Sequence, residues 1–225
     1  LTYGVDDQRR KSTTTQYWTG ANPGSRTTTR YYIGDYEEEI TPDGNVRKIH
    51  YLSGAVLIRN RGVDSLLYTY SDYLGSLTAL ADENGNVVQR YAYDPWGKRR
   101  NPSDWTLPDS RTSWILNRGF TGHEHLDKFG VIDMNGRVYD PLTGQFFSPD
   151  PYISFPGDWV GYNRYLYAMG NPFKFTDPSG ENALLIIAIG MSAISFGAVS
   201  AMNGGSFWAG ALTGAAVGAI SFGVG

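Results

Sequence analysis

His123-Glu124-His125-Leu126-Asp127 sets two imidazoles and a carboxylate at alternating positions. Side chains of a strand alternate between its faces, so His123, His125 and Asp127 would share one face and could ligate zinc there. The same groups can instead close strand or turn hydrogen bonds, and His50, the remaining histidine, is read as structural. A second set of polar side chains sits at the Asp-Pro dipeptides Asp94-Pro95, Asp140-Pro141, Asp150-Pro151 and Asp177-Pro178. Their ordinary work is to start turns: the aspartate accepts hydrogen bonds from the following amides, and proline fixes φ. The chain has no cysteine, which removes disulfide and thiolate chemistry and is silent about compartment. A net charge of -3 gives no reason to expect a nucleic-acid partner. Nothing in the sequence asks for a cofactor.

The elements that must carry these residues are short strands. With 28 Gly, 11 Pro and 16 Tyr, turns and aromatic residues both abound, a balance suited to strands closed by tight turns. Thr41-Pro42-Asp43-Gly44-Asn45-Val46 precedes Arg47-Lys48-Ile49-His50-Tyr51, and Asp82-Glu83-Asn84-Gly85-Asn86-Val87 precedes Val88-Gln89-Arg90-Tyr91. Asp-Gly and Asn-Gly supply the positive φ of hairpin turns, and the two copies align on Gly-Asn-Val as a degenerate repeat. Asn135-Gly136 is a third such turn. A second repeated unit is a strand ending in Asp-Pro and Gly: Tyr91 to Gly97, Val138 to Gly144 and Phe173 to Gly180. Residues 101–118 lack alternation and are expected to form a loop or insertion.

All 19 basic and 22 acidic residues lie in 1–181, and none follows. Residues 183–201 and 207–224 are apolar runs around Met202-Asn203-Gly204-Gly205-Ser206, with Gly210, Gly214 and Gly218 at four-residue spacing. That spacing lines small residues along one helical face, where a second helix could pack. Each run is long enough to cross a bilayer core of roughly 30 Å, so the tail is expected to be helical. It would be either a membrane-contacting segment over 183–224 or a buried hairpin. Because Leu1 already stands in repeat-like sequence, the chain is expected to be a piece of a longer exported protein.

Several motifs together resemble Rhs/YD-repeat proteins and their RHS repeat-associated core domain. They are Tyr70-Ser71-Asp72-Tyr73-Leu74-Gly75-Ser76-Leu77, Gly85-Asn86-Val87-Val88, Tyr91-Ala92-Tyr93-Asp94-Pro95-Trp96-Gly97 and Phe120-Thr121-Gly122-His123-Glu124. Arg137 to Phe146, Ser148-Pro149-Asp150-Pro151, Asn163-Arg164-Tyr165-Leu166-Tyr167, Asn171-Pro172 and Asp177-Pro178-Ser179-Gly180 continue the series in order. The resemblance implies a mainly β fold, an antiparallel YD/Rhs hairpin ribbon forming a segment of a shell or spiral. It divides the chain into YD-like repeats at 1–65, the core at 66–181 and the start of a variable C-terminal region at 182–225.

The resemblance also implies a role: a bacterial, secreted or cell-surface polymorphic toxin or toxin carrier, whose shell encloses or presents a C-terminal effector. Implied partners are the rest of its own shell, the C-terminal toxin, a secretion apparatus, an immunity protein or a cell-surface glycan. Several such proteins cut their own chain once, shortly after the Asp-Pro-x-Gly motif, and the residues credited match Arg137, Asp150 and Asp177. Of two carboxylates held close, one can act as base on a water while the other acts as acid. Arg137 could stabilise the oxyanion. The cut would fall near Glu181-Asn182, where self-cleaving relatives typically carry Leu at the first position. The alternative is a non-catalytic cell-surface, contact or glycan-binding repeat protein with a membrane-associated tail.

Overall fold

The computed structural model of the chain describes residues 1–3, 9–19, 24–151, 153, 159–181, 200, 205, 206 and 209. Nine strands form one antiparallel sheet in sequence order. They are β1 (Thr2–Tyr3), β2 (Arg9–Trp18), β3 (Gly24–Ile33), β4 (Tyr36–Ile40), β5 (Val46–Leu52), β6 (Ala55–Asn60), β7 (Val63–Ser71), β8 (Leu77–Ala81) and β9 (Val87–Arg90). Each pairs only with its neighbours in sequence, so the sheet is a meander that runs unbroken across residue 65. The mainly β, antiparallel fold expected from the turn-rich composition is the one observed.

One turn device recurs. Asp72 Oδ1 accepts the amides of Leu74 (2.9 Å) and Ser76 (2.8 Å), and Asp82 Oδ1 accepts those of Asn84 (2.9 Å) and Asn86 (2.8 Å). Asp94 Oδ1 does the same for Trp96 and Lys98, each at 3.0 Å. In all three the fourth residue is a glycine in the left-handed region: Gly75, Gly85 and Gly97 at φ +85°, +81° and +92°. The Gly-Asn-Val hairpin at Asp82 and the Asp-Pro-x-Gly strand end at Asp94, distinguished by sequence, therefore close by the same hydrogen bonds.

Alternation along β5 to β8, with a register shift in the β7–β8 pairing between Leu77 and Ala79, turns Ile49, Val56, Ile58, Leu67, Leu77 and Leu80 to one side. There they pack with Tyr91 and Leu116, flanked by Trp114 and Ile115. Each such side chain removed from water stabilises the fold by about 1.5–3 kcal/mol before entropy is counted. Residues 101–118 are not all loop. β10 (Arg100–Asn101) and β11 (Asp104–Pro108) make a small hairpin, because Asn101 Oδ1 accepts the Ser103 amide at 2.9 Å and turns the chain. Leu116, further along, enters the core.

A second sheet of four antiparallel strands follows: β12 (Glu124–Leu126), β13 (Val131–Asp133), β14 (Val138–Asp140) and β15 (Gln145–Phe146). With 3₁₀ turns at Phe120–Gly122 and Tyr167–Gly170 it encloses Phe120, Ile132, Met134, Tyr139, Phe146, Tyr167 and Ala168. Tyr139 and Tyr167, both fully buried, sit with ring centroids 4.8 Å apart.

A buried ion network joins the two sheets. Arg9 on β2 binds Glu124 on β12 and Asp133 on β13, and Arg30 on β3 binds Glu124 and Glu39. Glu124 and Asp133 are themselves register partners. Tyr32 Oη donates to Glu124 Oε2 at 3.0 Å, under the Arg9 guanidinium, which stacks 4.0 Å from the Tyr32 ring centroid. Apart from Ser200, Gly205, Ser206 and Ala209, the expected helical tail and its membrane contact over 183–224 lie outside the described residues. Among the described residues no helix is long and apolar enough to cross a membrane.

Candidate active site

Arg137 leaves the tight turn between β13 and β14. Asn135, at φ +68°, takes the left-handed conformation that asparagine tolerates, and its amide donates to Asp133 Oδ1 at 3.0 Å. The Met134 amide donates to the Arg137 carbonyl at 3.0 Å and closes the turn. Arg137 is 6 % exposed, with its guanidinium 3.7 Å over the Phe146 ring, a stacked seat that suits a planar cation.

The three residues matched to the family's cleavage centre meet on this guanidinium. Arg137 Nη2 lies 3.1 Å from Asp150 Oδ2 and 3.1 Å from Asp177 Oδ2. Nη1 donates to the Arg164 carbonyl at 3.1 Å, and Nε donates to the Gly180 carbonyl. Asp150 is anchored through its backbone, its amide donating to Arg164 O at 2.8 Å while Arg164 Nε returns a bond to the Asp150 carbonyl. Asp150 is 5 % exposed and Asp177 is fully enclosed. One guanidinium thus faces two carboxylates in a buried site, where electrostatic contacts are strong.

Asp177-Pro178-Ser179-Gly180 lies along the Asn135-Gly136-Arg137 turn, and three successive carbonyls of it are held. Pro178 O accepts from Asn135 Nδ2 and from His123 Nε2, each at 3.1 Å. Ser179 O accepts from the Gly136 amide at 2.9 Å, and Gly180 O accepts from Arg137 Nε. Gly180, at φ +71°, is the closest approach: a Cβ there would stand 2.1 Å from the Met134 carbonyl oxygen. Gly136 is bare for a related reason, since a Cβ would meet Glu181 Cγ at 2.6 Å.

His123, His125 and Asp127 each have a different partner. His123 Nδ1 accepts from Thr121 Oγ1 at 2.9 Å; its Nε2 must carry the proton, because the Pro178 carbonyl can only accept. Burial pushes its pKa down to about 4, so the ring is neutral at neutral pH. His125 Nε2 accepts the Phe120 amide at 3.0 Å, and its pKa is pushed well down by complete burial and by the nearby Arg99. Asp127 pairs with Arg99 Nε at 2.7 Å. Among the described residues no three His, Cys, Asp or Glu side chains group as a metal site.

Sequence reasoning missed the carbonyl-holding roles of His123, Asn135 and Gly136. Asn135-Gly136 read as a turn, which it is, but nothing local signals that the turn's outer edge holds residues more than forty positions away. The Arg9–Glu124–Arg30 network was missed for the same reason.

A family profile, Teneurin YD-shell, matches residues 43–169. Salivary gland surface protein 1 of Aedes aegypti is 31% identical over 137 residues, covering 59% of this chain and 4% of that protein. Toxin subunit YenC1 of Yersinia entomophaga is 28% identical over 117 residues, 52% of this chain and 11% of that protein. The chain therefore spans a small fraction of these relatives' length. A solved structure titled Crystal Structure of TcdB2-TccC3 superposes with a TM-score of 0.62 at 20% identity, over 79% of this chain and 9% of that one. At that identity the likeness speaks for the fold. The profile spans more than half of the chain, and the Rhs/YD-repeat resemblance read from the motifs agrees with it: this protein belongs to the teneurin YD-shell family.

Proposed function

We propose that the chain is part of an exported bacterial toxin-carrier shell, and that Arg137, Asp150 and Asp177 cut it once beside Glu181. In this reading residues 1–65 are ribbon repeats, 66–181 the core, and 182–225 the start of a variable region carrying the effector. The observation that carries the cleavage reading is the shared guanidinium: one Arg137 nitrogen touches both carboxylates while another holds the carbonyl of Gly180. One carboxylate takes a proton from a water molecule, which adds to the peptide carbonyl. The other gives a proton to the departing nitrogen, and Arg137 steadies the negative oxygen. The substrate is tethered, so orientation supplies a large part of the rate, and one turnover is enough.

The test expresses the full chain with a C-terminal extension and follows it on a denaturing gel. A product ending near residue 181, lost in Asp150→Asn and in Asp177→Asn, is the expected result. A chain that stays intact under all conditions refutes self-cleavage and leaves the shell reading standing. The toxin-carrier role draws support from the YenC1 relative. A second reading, a non-catalytic cell-surface repeat protein, draws support from the mosquito salivary gland surface protein; there the shared guanidinium is a structural ion pair.

A further inference from the structure

We propose that His123, Asn135, Gly136 and Arg137 form a backbone clamp that reads the chain in register and presents one bond, Gly180–Glu181, to Asp150 and Asp177. This rests on the self-cleavage reading and names its substrate recognition. Three consecutive carbonyls, of Pro178, Ser179 and Gly180, are each bound by a donor from 123 or 135–137. Such a ladder grips main chain and not side chains, as an added strand is gripped at a sheet edge. Its register is fixed by sterics as well as by hydrogen bonds. Gly180 passes Met134 O so closely that no Cβ fits, and Gly136 is bare where the Glu181 side chain crosses it. A one-residue slip in either direction would bring a side chain against Met134 O.

The last carbonyl in the ladder is the one the guanidinium touches. Arg137 Nε donates to Gly180 O while Nη2 of the same group faces both carboxylates. Charge developing on Gly180 O during hydrolysis is therefore met by a cation already in place. Water oxygen bonds to the Gly180 carbonyl carbon, one aspartate takes the water proton, and the carbon–nitrogen bond to Glu181 breaks. The Glu181 nitrogen takes a proton from the other aspartate, which starts protonated, leaving a Gly180 carboxylic acid and a Glu181 amine that then exchange a proton to become carboxylate and ammonium. His123 and Asn135 are positioning residues: they touch Pro178 O, two residues upstream of the reacting carbonyl.

Intact-mass measurement on the C-terminally extended full chain tests this. The clamp predicts a product ending at Gly180, unmoved by Glu181→Ala or Glu181→Leu, since residue 181 is not read through its charge. His123→Gln and Asn135→Gly remove or misplace one donor each, and glycine keeps the left-handed turn. Together they should slow cutting by about 10- to 100-fold, two ordinary hydrogen bonds. They should also scatter the cut over neighbouring bonds, which a loss of fold alone would not do. A single clean cut elsewhere, or unchanged rate and position in the double variant, overturns the clamp. No cutting by the unaltered chain overturns the bond assignment together with the reading beneath it. The grip is then judged by hydrogen exchange at the Gly136 amide. That amide should lose at least about tenfold protection in Gly180→Ala while Val56 on β6 keeps its own, and equal protection in both chains overturns the grip.

Discussion

Glu124→Gln should loosen the joint between the two sheets more than its single-atom change suggests. Glu124 is 4 % exposed, and its carboxylate accepts from Arg9, Arg30 and Tyr32. The side chains of Arg9 and Arg30 are only 8% and 11% exposed. An amide of the same shape can accept through one oxygen only and turns an NH₂ group toward a guanidinium. Removing one member of a buried ion pair costs about 3–5 kcal/mol, because the stranded charge has no water to turn to. Arg9 keeps Asp133 and Arg30 keeps Glu39, which places the effect near the low end, about 3 kcal/mol. For a chain of this size that is roughly 6–12 °C in melting temperature. Thermal unfolding followed by circular dichroism reads it directly. A double-mutant cycle with Arg30→Met separates the pair from the sites, with an expected coupling of about 1–3 kcal/mol. A melting temperature within 2 °C of the parent, or a coupling near zero, would refute the idea that this network bolts the ribbon to the core.

Three further outcomes follow from the same geometry. His123 has a folded pKa near 4 against about 6.5 unfolded, so the fold favours its neutral form. Its contribution is complete above pH 6.5 and falls by roughly 3 kcal/mol as pH drops from 6.5 to 4; urea midpoints should show that slope in the parent and a shallower one in His123→Gln. Gly97→Ala and Gly85→Ala should differ although both glycines have positive φ. A Cβ on Gly97 meets Phe120 Cδ1 at 2.6 Å, whereas one on Gly85 meets nothing within 4 Å. Backbone strain alone costs about 1–2 kcal/mol, and overpacking adds about 1–3 at Gly97, so denaturant midpoints should rank Gly97→Ala clearly below Gly85→Ala. Arg137→Lys keeps the charge and gives up the planar fork; on the self-cleavage reading the rate on the extended chain should fall about 10²- to 10³-fold, and a rate within threefold of the parent would count against an oxyanion role for the guanidinium.

What was legible in the sequence was what neighbours in sequence decide. Asp82-Glu83-Asn84-Gly85 announces its turn because the aspartate that accepts and the amides that donate lie within five residues. The β-branched and aromatic residues that follow the Asp43-Gly44 turn, through Tyr51, announce a strand for the same reason. The hairpin at 100–108 was not legible, since its longer strand is exposed and carries no apolar face to produce alternation. At the site, Arg137, Asp150 and Asp177 were reachable only through the family resemblance: as bare residues they are a strand arginine and two turn aspartates. His123 read as a zinc candidate because alternation was counted along a strand that begins one residue later, at Glu124. Its ring instead faces Pro178, an assignment that pairing between segments 55 residues apart decides.

Asp177-Pro178-Ser179-Gly180 shares its sequence with turns that only close strands, yet it is placed differently. In Asp94-Pro95-Trp96-Gly97 the aspartate accepts its own turn amides and the carboxylate joins Arg100 at 3.2 Å near the surface. Asp177 is fully enclosed and joins Arg137, which also holds Asp150 and the Gly180 carbonyl. The glycine differs in the same way: Gly97 lacks a Cβ to make room for the Phe120 and Ile132 side chains, Gly180 to let main chain pass main chain. A turn that only ends a strand needs the positive φ and no more. The backbone-on-backbone contact at Gly180 adds a positional constraint, and that constraint would let a repeat element of the sheet serve as a substrate held in one register.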